Sequence, residues 1–97
     1  MPVGRLAAYI RECVARDTQW AAFEPNIEPT RARVRDQVAA FMESLFREGA
    51  FAGATPEEAY CVRCDQDADR SVMIVEVEFV PSGTRLREVV AVHVQQG

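Results

Sequence analysis

Apolar positions in the first half of the chain return every three or four residues; in the second half they return every two. Between residues 5 and 16, Leu6, Ile10, Cys13 and Val14 recur at helical spacing while Arg5, Arg11, Glu12 and Arg16 occupy other faces, which predicts a short amphipathic helix. A longer helix is predicted over 30–48, with Val34, Val38, Phe41, Met42, Leu45 and Phe46 in one stripe and Gly49 as its stop. Thr55-Pro56-Glu57-Glu58 then offers an N-cap, a proline at the first helical position and a glutamate at the third. That is a capping box for one brief turn.

From Tyr60 onward the period is two. Tyr60, Val62 and Cys64 alternate with Cys61 and Arg63, and the polar run 65–70 reads as a hairpin connection. Met73, Val75, Val77 and Phe79 form one face of a long strand, Glu76 and Glu78 lie on the other, and Pro81-Ser82-Gly83 ends it. The last run, EVVAVHV, places Val90, Val92 and Val94 on one face and Val89, Ala91 and His93 on the other. The fold class that follows is α+β: two amphipathic helices packed on one face of a small, mainly antiparallel sheet of about three strands. A final strand that is apolar on both faces is a template for pairing. Either another strand covers it within the fold, or it binds a neighbour by strand addition.

The connector between the helices, TQWAAFEPN, is more than a polar loop. Trp20 and Phe23 predict a clamp, since aromatic side chains bury large surfaces against both helices. Pro25 pre-sets one backbone angle of the turn, and Asn26 tolerates an unusual one after it. Trp20, Phe23 and Pro25 are therefore the expected structural anchors.

Composition narrows the functional classes. Ninety-seven residues, 48% hydrophobic and 27% charged, describe one small globular domain spanning 1–97. A net charge of −4, with eleven arginines and no lysine, argues against nucleic-acid binding. No apolar run approaches a membrane span or a signal sequence, so no membrane insertion is expected. Catalytic chemistry finds little to use. The one histidine, His93, lies on an apolar strand, and no Ser/His/Asp or Cys/His constellation is present. GAFAGATPEE lacks the lysine and the strand-to-helix setting of a phosphate loop. Cys61 and Cys64 have C-x-x-C spacing, but on a strand residues three apart face opposite ways, and only Cys13 and His93 could complete a zinc site. Packing cysteines are expected. Asp65, Asp67 and Asp69 begin like a calcium loop, yet position six is Arg70 and the glutamate at position twelve, Glu76, lies in a strand. No enzyme activity, metal or cofactor is expected.

Read in order, RLAAYI, TQWAAFEPN, RARVRDQVAAFMESLFREGAFAGATPEEAYCVRCD, VEFVPSG and EVVAVHV resemble the C-terminal domain of contractile tail sheath proteins, over residues 5–94. That family includes sheaths of phage tails, R-type pyocins and extracellular contractile injection systems. The most specific pieces are TQW-x-x-FEPN and G-A-x-x-G-x-T-P-E-E-A-x-x-V-x-C-D. The resemblance implies a structural subunit, part of the inner layer of a sheath stacked in rings around a tube and knitted together by strands exchanged between neighbours. It implies that Val89, Val90, Ala91, Val92, His93 and Val94 form an inter-subunit strand. Partners would be copies of this chain or full-length sheath subunits, the inner tail tube protein, and baseplate or terminator proteins. Synthesis would be in a bacterial cytoplasm, followed by assembly into a phage tail or tail-like particle. Full sheath proteins are several times longer, so the chain corresponds to a miniature homologue or to an excised domain.

Arg31, Arg33 and Arg35 open the long helix beside its positive dipole end, where cations gain nothing from the helix. An acidic partner such as the tube would explain them; a solvated helix start balanced by Glu24, Glu28 and Asp36 would do so equally. Two other functions fit the same sequence: an adaptor or terminator that does not polymerise, and a small thiol enzyme using Cys61 or Cys64.

Overall fold

A computed structural model describes residues 3–67 and 71–96. Helix α1 (Val3–Asp17) leads through a 3-10 turn (Gln19–Phe23) into α2 (Glu28–Arg47), followed by the brief α3 (Pro56–Ala59) and strands β1 (Tyr60–Gln66), β2 (Val72–Phe79) and β3 (Glu88–Gln95). The strands form one antiparallel sheet in the order β1-β2-β3. Both long helices pack on the same face, α1 over β3 and α2 over β1. The expected α+β architecture is what the chain adopts.

The helical stripes make the core as their spacing predicts. Leu6, Ile10, Cys13 and Val14 of α1 and Val34, Val38, Met42 and Leu45 of α2 are buried, meeting Met73, Val75, Val77 and Phe79 of β2 and Val90, Val92 and Val94 of β3. Helix α2 begins two residues earlier than its apolar period suggests, taking Glu28 and Pro29 into its first turn. A proline there loses no hydrogen bond, because the first-turn amides have no intrahelical acceptor. Its other end closes as a Schellman motif: the Gly49 amide bonds the Phe46 carbonyl and the Ala50 amide the Leu45 carbonyl, with Gly49 at φ +84°. At α3, Thr55 Oγ1 accepts from the Glu58 amide, and Glu58 Oε2 accepts from the Ala54 amide. The box therefore reaches one residue further back than the usual pattern. Beyond α2 the chain is stitched to the end of β2, where Ala52 donates to the Val80 carbonyl and Ser82 to the Ala50 carbonyl.

The connector is pinned to three elements. Trp20 Nε1 donates to Gln37 Oε1 at 2.7 Å, and Gln37 Nε2 donates to the Asp17 carbonyl at 2.7 Å, so one glutamine of α2 holds both the indole and the end of α1. The Arg33 guanidinium lies 4.5 Å from the indole centroid, within the range of a cation–π contact. From the sheet, Gln96 Nε2 donates to the carbonyls of Ala21 and Glu24. Trp20 thus has the contacts expected of an anchor, whereas Phe23, expected to share that role, is 89% exposed. A 3-10 turn advances three residues per revolution, so Trp20 and Phe23 fall on one line along it. Trp20 contacts Gln37 and Arg33 of α2, Phe23 is left to solvent, and small Ala21 is fully buried. Pro25 is likewise exposed and serves the turn, its carbonyl accepting from the Ile27 amide. Asn26 takes no left-handed conformation. It works through its side chain, with Oδ1 accepting from Arg31 Nη1 at 2.8 Å and Nδ2 donating to the Val72 carbonyl.

Trp20→Ala removes a partly buried indole, its hydrogen bond and its cation–π partner together. The expected cost is about 2–3 kcal/mol, below that of a fully buried aromatic, and a melting temperature lower by about 10–20 °C. An unchanged melting curve would remove Trp20 from the role of anchor.

Candidate functional site

The feature with the most functional content is the outer edge of β3. The Gln96 amide bonds the Ser71 carbonyl, which continues the β2–β3 ladder past its last paired strand residue. Antiparallel ladders alternate, so the residues at even positions, Val94, Val92 and Val90, turn their amides and carbonyls toward β2. Val89, Ala91, His93 and Gln95 turn theirs away from the sheet. Among the described residues no strand pairs with them. The same alternation governs side chains. Val90, Val92 and Val94 point into the core, while Val89 is 51% exposed and His93 is exposed on the opposite face.

Beside this edge runs a groove of about 390 Å³ lined by Ala15, Gln19, Ala22 and Phe23 on one side and by residues 92–95 on the other. Exposed Phe23 forms part of its rim. One group already reaches the edge: Arg11 of α1 donates from Nη1 to the Ala91 carbonyl at 3.0 Å. At the opposite edge of the sheet, Arg35 of α2 donates to the Cys64 carbonyl of β1 at 3.4 Å. Arg35 is itself held by an ion pair with Glu28, whose carboxyl lies below its ordinary range chiefly because of that bond. Arg11 has no ion pair among the described residues.

The face of the sheet away from the helices is largely polar. Arg63 of β1 bridges Glu76 and Glu78 of β2, and Arg87 also reaches Glu78. These pairs are solvent-facing and each contributes little to stability. They lie over β1 and β2, leaving Val89 and Ala91 as the apolar margin at the β3 side.

The arginines that open α2 all have occupations within the chain. Arg31 binds the Asn26 carbonyl and side chain and pairs with Glu28 at 3.4 Å; Arg35 pairs with Glu28 and reaches β1; Arg33 covers Trp20. The side chains of Arg31 and Arg35 are 18% and 33% exposed, whereas Arg33 is an exposed residue. The structure does not bring the trio together as one cationic patch.

The C-x-x-C thiols diverge, as strand geometry demands. Cys61 is exposed on the outer face, and Cys64 is buried on the helix side, where desolvation pushes its thiol up to about 11. Among the described residues no group of three or more His, Cys, Asp or Glu is placed to hold a metal ion. Asp65 and Asp67 are exposed on the way into the β1–β2 connection, while Asp69 and Arg70 lie outside the described residues. In the native protein a maleimide is expected to modify Cys61 quickly, with Cys13 and Cys64 reacting only in denaturant. Fast native labelling of all three would contradict the buried positions.

Sequence reasoning identified the apolar strand but missed Arg11, Gln37 and Gln96. Their bonds join residues 80, 20 and 75 apart in the chain, and no local period signals them. Phe23 was detectable as an aromatic in a connector, though not as an exposed one. No helix among the described residues is long and apolar enough to cross a membrane. No family model matches the chain, and no curated protein matches it.

Proposed function

We propose that this chain is a structural assembly subunit that accepts a neighbour's strand at the outer edge of β3, as its resemblance to the inner domain of contractile tail sheaths implies. The observation that carries the reading is the unpaired edge of β3: four alternate residues with outward backbone groups, flanked by exposed Val89, exposed Phe23 and an apolar groove. A long, apolar, unpaired edge is costly for a monomer to retain. A neighbour's strand satisfies its amides and carbonyls and covers the groove in one step.

In the sheath setting, that strand comes from an adjacent subunit, the assembled rings surround a tail tube, and the particle is a phage tail or a related injection device made in a bacterial cytoplasm. Of the arginine trio, only Arg33 is an exposed residue, which favours it over Arg31 and Arg35 as a contact for an acidic tube surface. With only this chain in solution, all three described strands are already in the sheet. A second copy then offers the same β3 edge. Antiparallel pairing of the two keeps even residues beside even and odd beside odd, so the valine layer continues beneath both sheets.

Amide hydrogen exchange across a concentration series tests the reading. The expected result is new protection at Val89, Ala91, His93 and Gln95 as the chain associates, with little change at Val90, Val92 and Val94, which already bond β2. Association without that alternate pattern overturns strand addition. Electron micrographs of the purified chain separate a polymerising sheath subunit, seen as rings or tubes, from a terminator or adaptor, seen as small discrete particles.

A further inference from the structure

The bond from Arg11 to the Ala91 carbonyl stands where an added strand must lie. Ala91 is the second of four residues, Val89 to Gln95 by twos, whose backbone groups face outward, and its carbonyl is one that any incoming strand has to use. Adjacent strands run about 4.8 Å apart. A guanidinium hydrogen-bonded 3.0 Å from that oxygen occupies the same corridor. We infer that Arg11 is a removable guard on the β3 edge: it satisfies the carbonyl in the free subunit and swings out when a neighbour's strand arrives. This inference rests on strand addition at β3 and assigns its regulation.

The opposite edge shows what a fixed guard looks like. Arg35 also caps an outward carbonyl, that of Cys64, but it is anchored by Glu28, and its side chain is only 33% exposed. Arg11 directly follows buried Ile10 in sequence but is itself exposed on α1, and it has no carboxylate partner among the described residues. Displacing Arg35 breaks an ion pair as well as a hydrogen bond; displacing Arg11 breaks the hydrogen bond alone, and its freed charge returns to water. Growth of the sheet is thereby directed to β3 and away from β1, and a subunit not yet facing a partner keeps its open edge capped. Such capping by charged side chains is a common defence of sheet edges.

The test is sedimentation equilibrium of the full chain and its Arg11→Met variant, with exchange protection read on the same samples. Methionine keeps an apolar stem and removes every donor. The expected result is self-association about tenfold tighter in the variant, the equivalent of one lost hydrogen bond to a charged group, with protection at Val89, Ala91 and His93. Electrostatics cannot produce that gain, because R11M removes a positive charge from a chain already at −4 and increases repulsion between copies. Equal association of both proteins, with the alternate protection pattern, overturns the guard and leaves strand addition standing. Weaker association of the variant also overturns it, making Arg11 part of the contact. If neither protein associates, strand addition fails and the guard falls with it.

Discussion

Phe79→Ala is expected to cost about 3–5 kcal/mol, the range for truncating a buried aromatic. Phe79 is fully buried at the end of β2, its ring 5.6 Å from that of Phe51, which in turn lies 6.0 Å from Tyr60, itself 6.5 Å from Phe46. This run of rings fastens the end of α2 to the sheet, across the seam where Ala52 and Ser82 exchange backbone bonds with Val80 and Ala50. Tyr60 is tied further by its hydroxyl, which donates to Glu43; burial first and that bond second push its phenol up to about 12. Alanine at residue 79 leaves a void among side chains already fixed by the ladder and the seam, so relaxation into it is limited. A domain of this length has roughly 5–15 kcal/mol of stability. The substitution therefore removes at least about a fifth of it, and the melting temperature is expected to fall by about 12–40 °C. In urea the midpoint should shift while the slope stays constant. A loss under about 1 kcal/mol would mean that the aromatic run is not what joins the two layers.

The elements that sequence predicts well are those whose residues repeat. The α1 stripe, the α2 stripe and the alternation of β2 each announce a buried face through period alone, and the burial of Leu6, Val38 and Val75 follows directly. The α2 start moved because Pro29 breaks an apolar pattern without breaking a helix. Phe23 failed for a different reason. Hydrophobicity ranks it as a core residue, but the 3-10 geometry allows one aromatic per line to reach α2, and Trp20 has that place. Asn26 was expected to matter through its backbone and matters through its side chain, which bridges Arg31 to the start of β2. The candidate site divides along the same line. That the last strand is apolar on both faces is visible in EVVAVHV. That it lies at an edge, with Arg11 across it, depends on strand order and on contacts between distant residues.

The connector and the edge are mechanically one unit. Gln96, immediately after β3, donates to Ala21 and Glu24 of the connector, and Trp20 ties that connector to α2 through Gln37. On the proposed reading, an added strand would meet an edge whose end is already hydrogen-bonded to the connector, so that less ordering entropy would oppose its addition.

Ala91→Pro is expected to weaken assembly by roughly a hundredfold or more while leaving the fold largely intact. At an outward-facing edge position, the amide that proline lacks bonds nothing in the free subunit, since the ladder to β2 is carried by Val90 and Val92. Proline is tolerated at such positions and excluded from central ones. The cost to the monomer is a local adjustment of one backbone angle, expected as a shift of a few degrees in melting temperature. Once a strand is added, Ala91 becomes central. The proline then removes a ladder bond and places its ring in the path of the neighbouring backbone; leaving the partner carbonyl unsatisfied costs up to about 3 kcal/mol, or roughly a hundredfold in affinity. The paired measurement is decisive because the two effects differ in kind: melting reports the monomer edge, sedimentation the occupied one. Unchanged association with unchanged melting would show that β3 is not the assembly edge. A collapse of both would show that residue 91 faces β2, contrary to the ladder that Gln96 and Ser71 define.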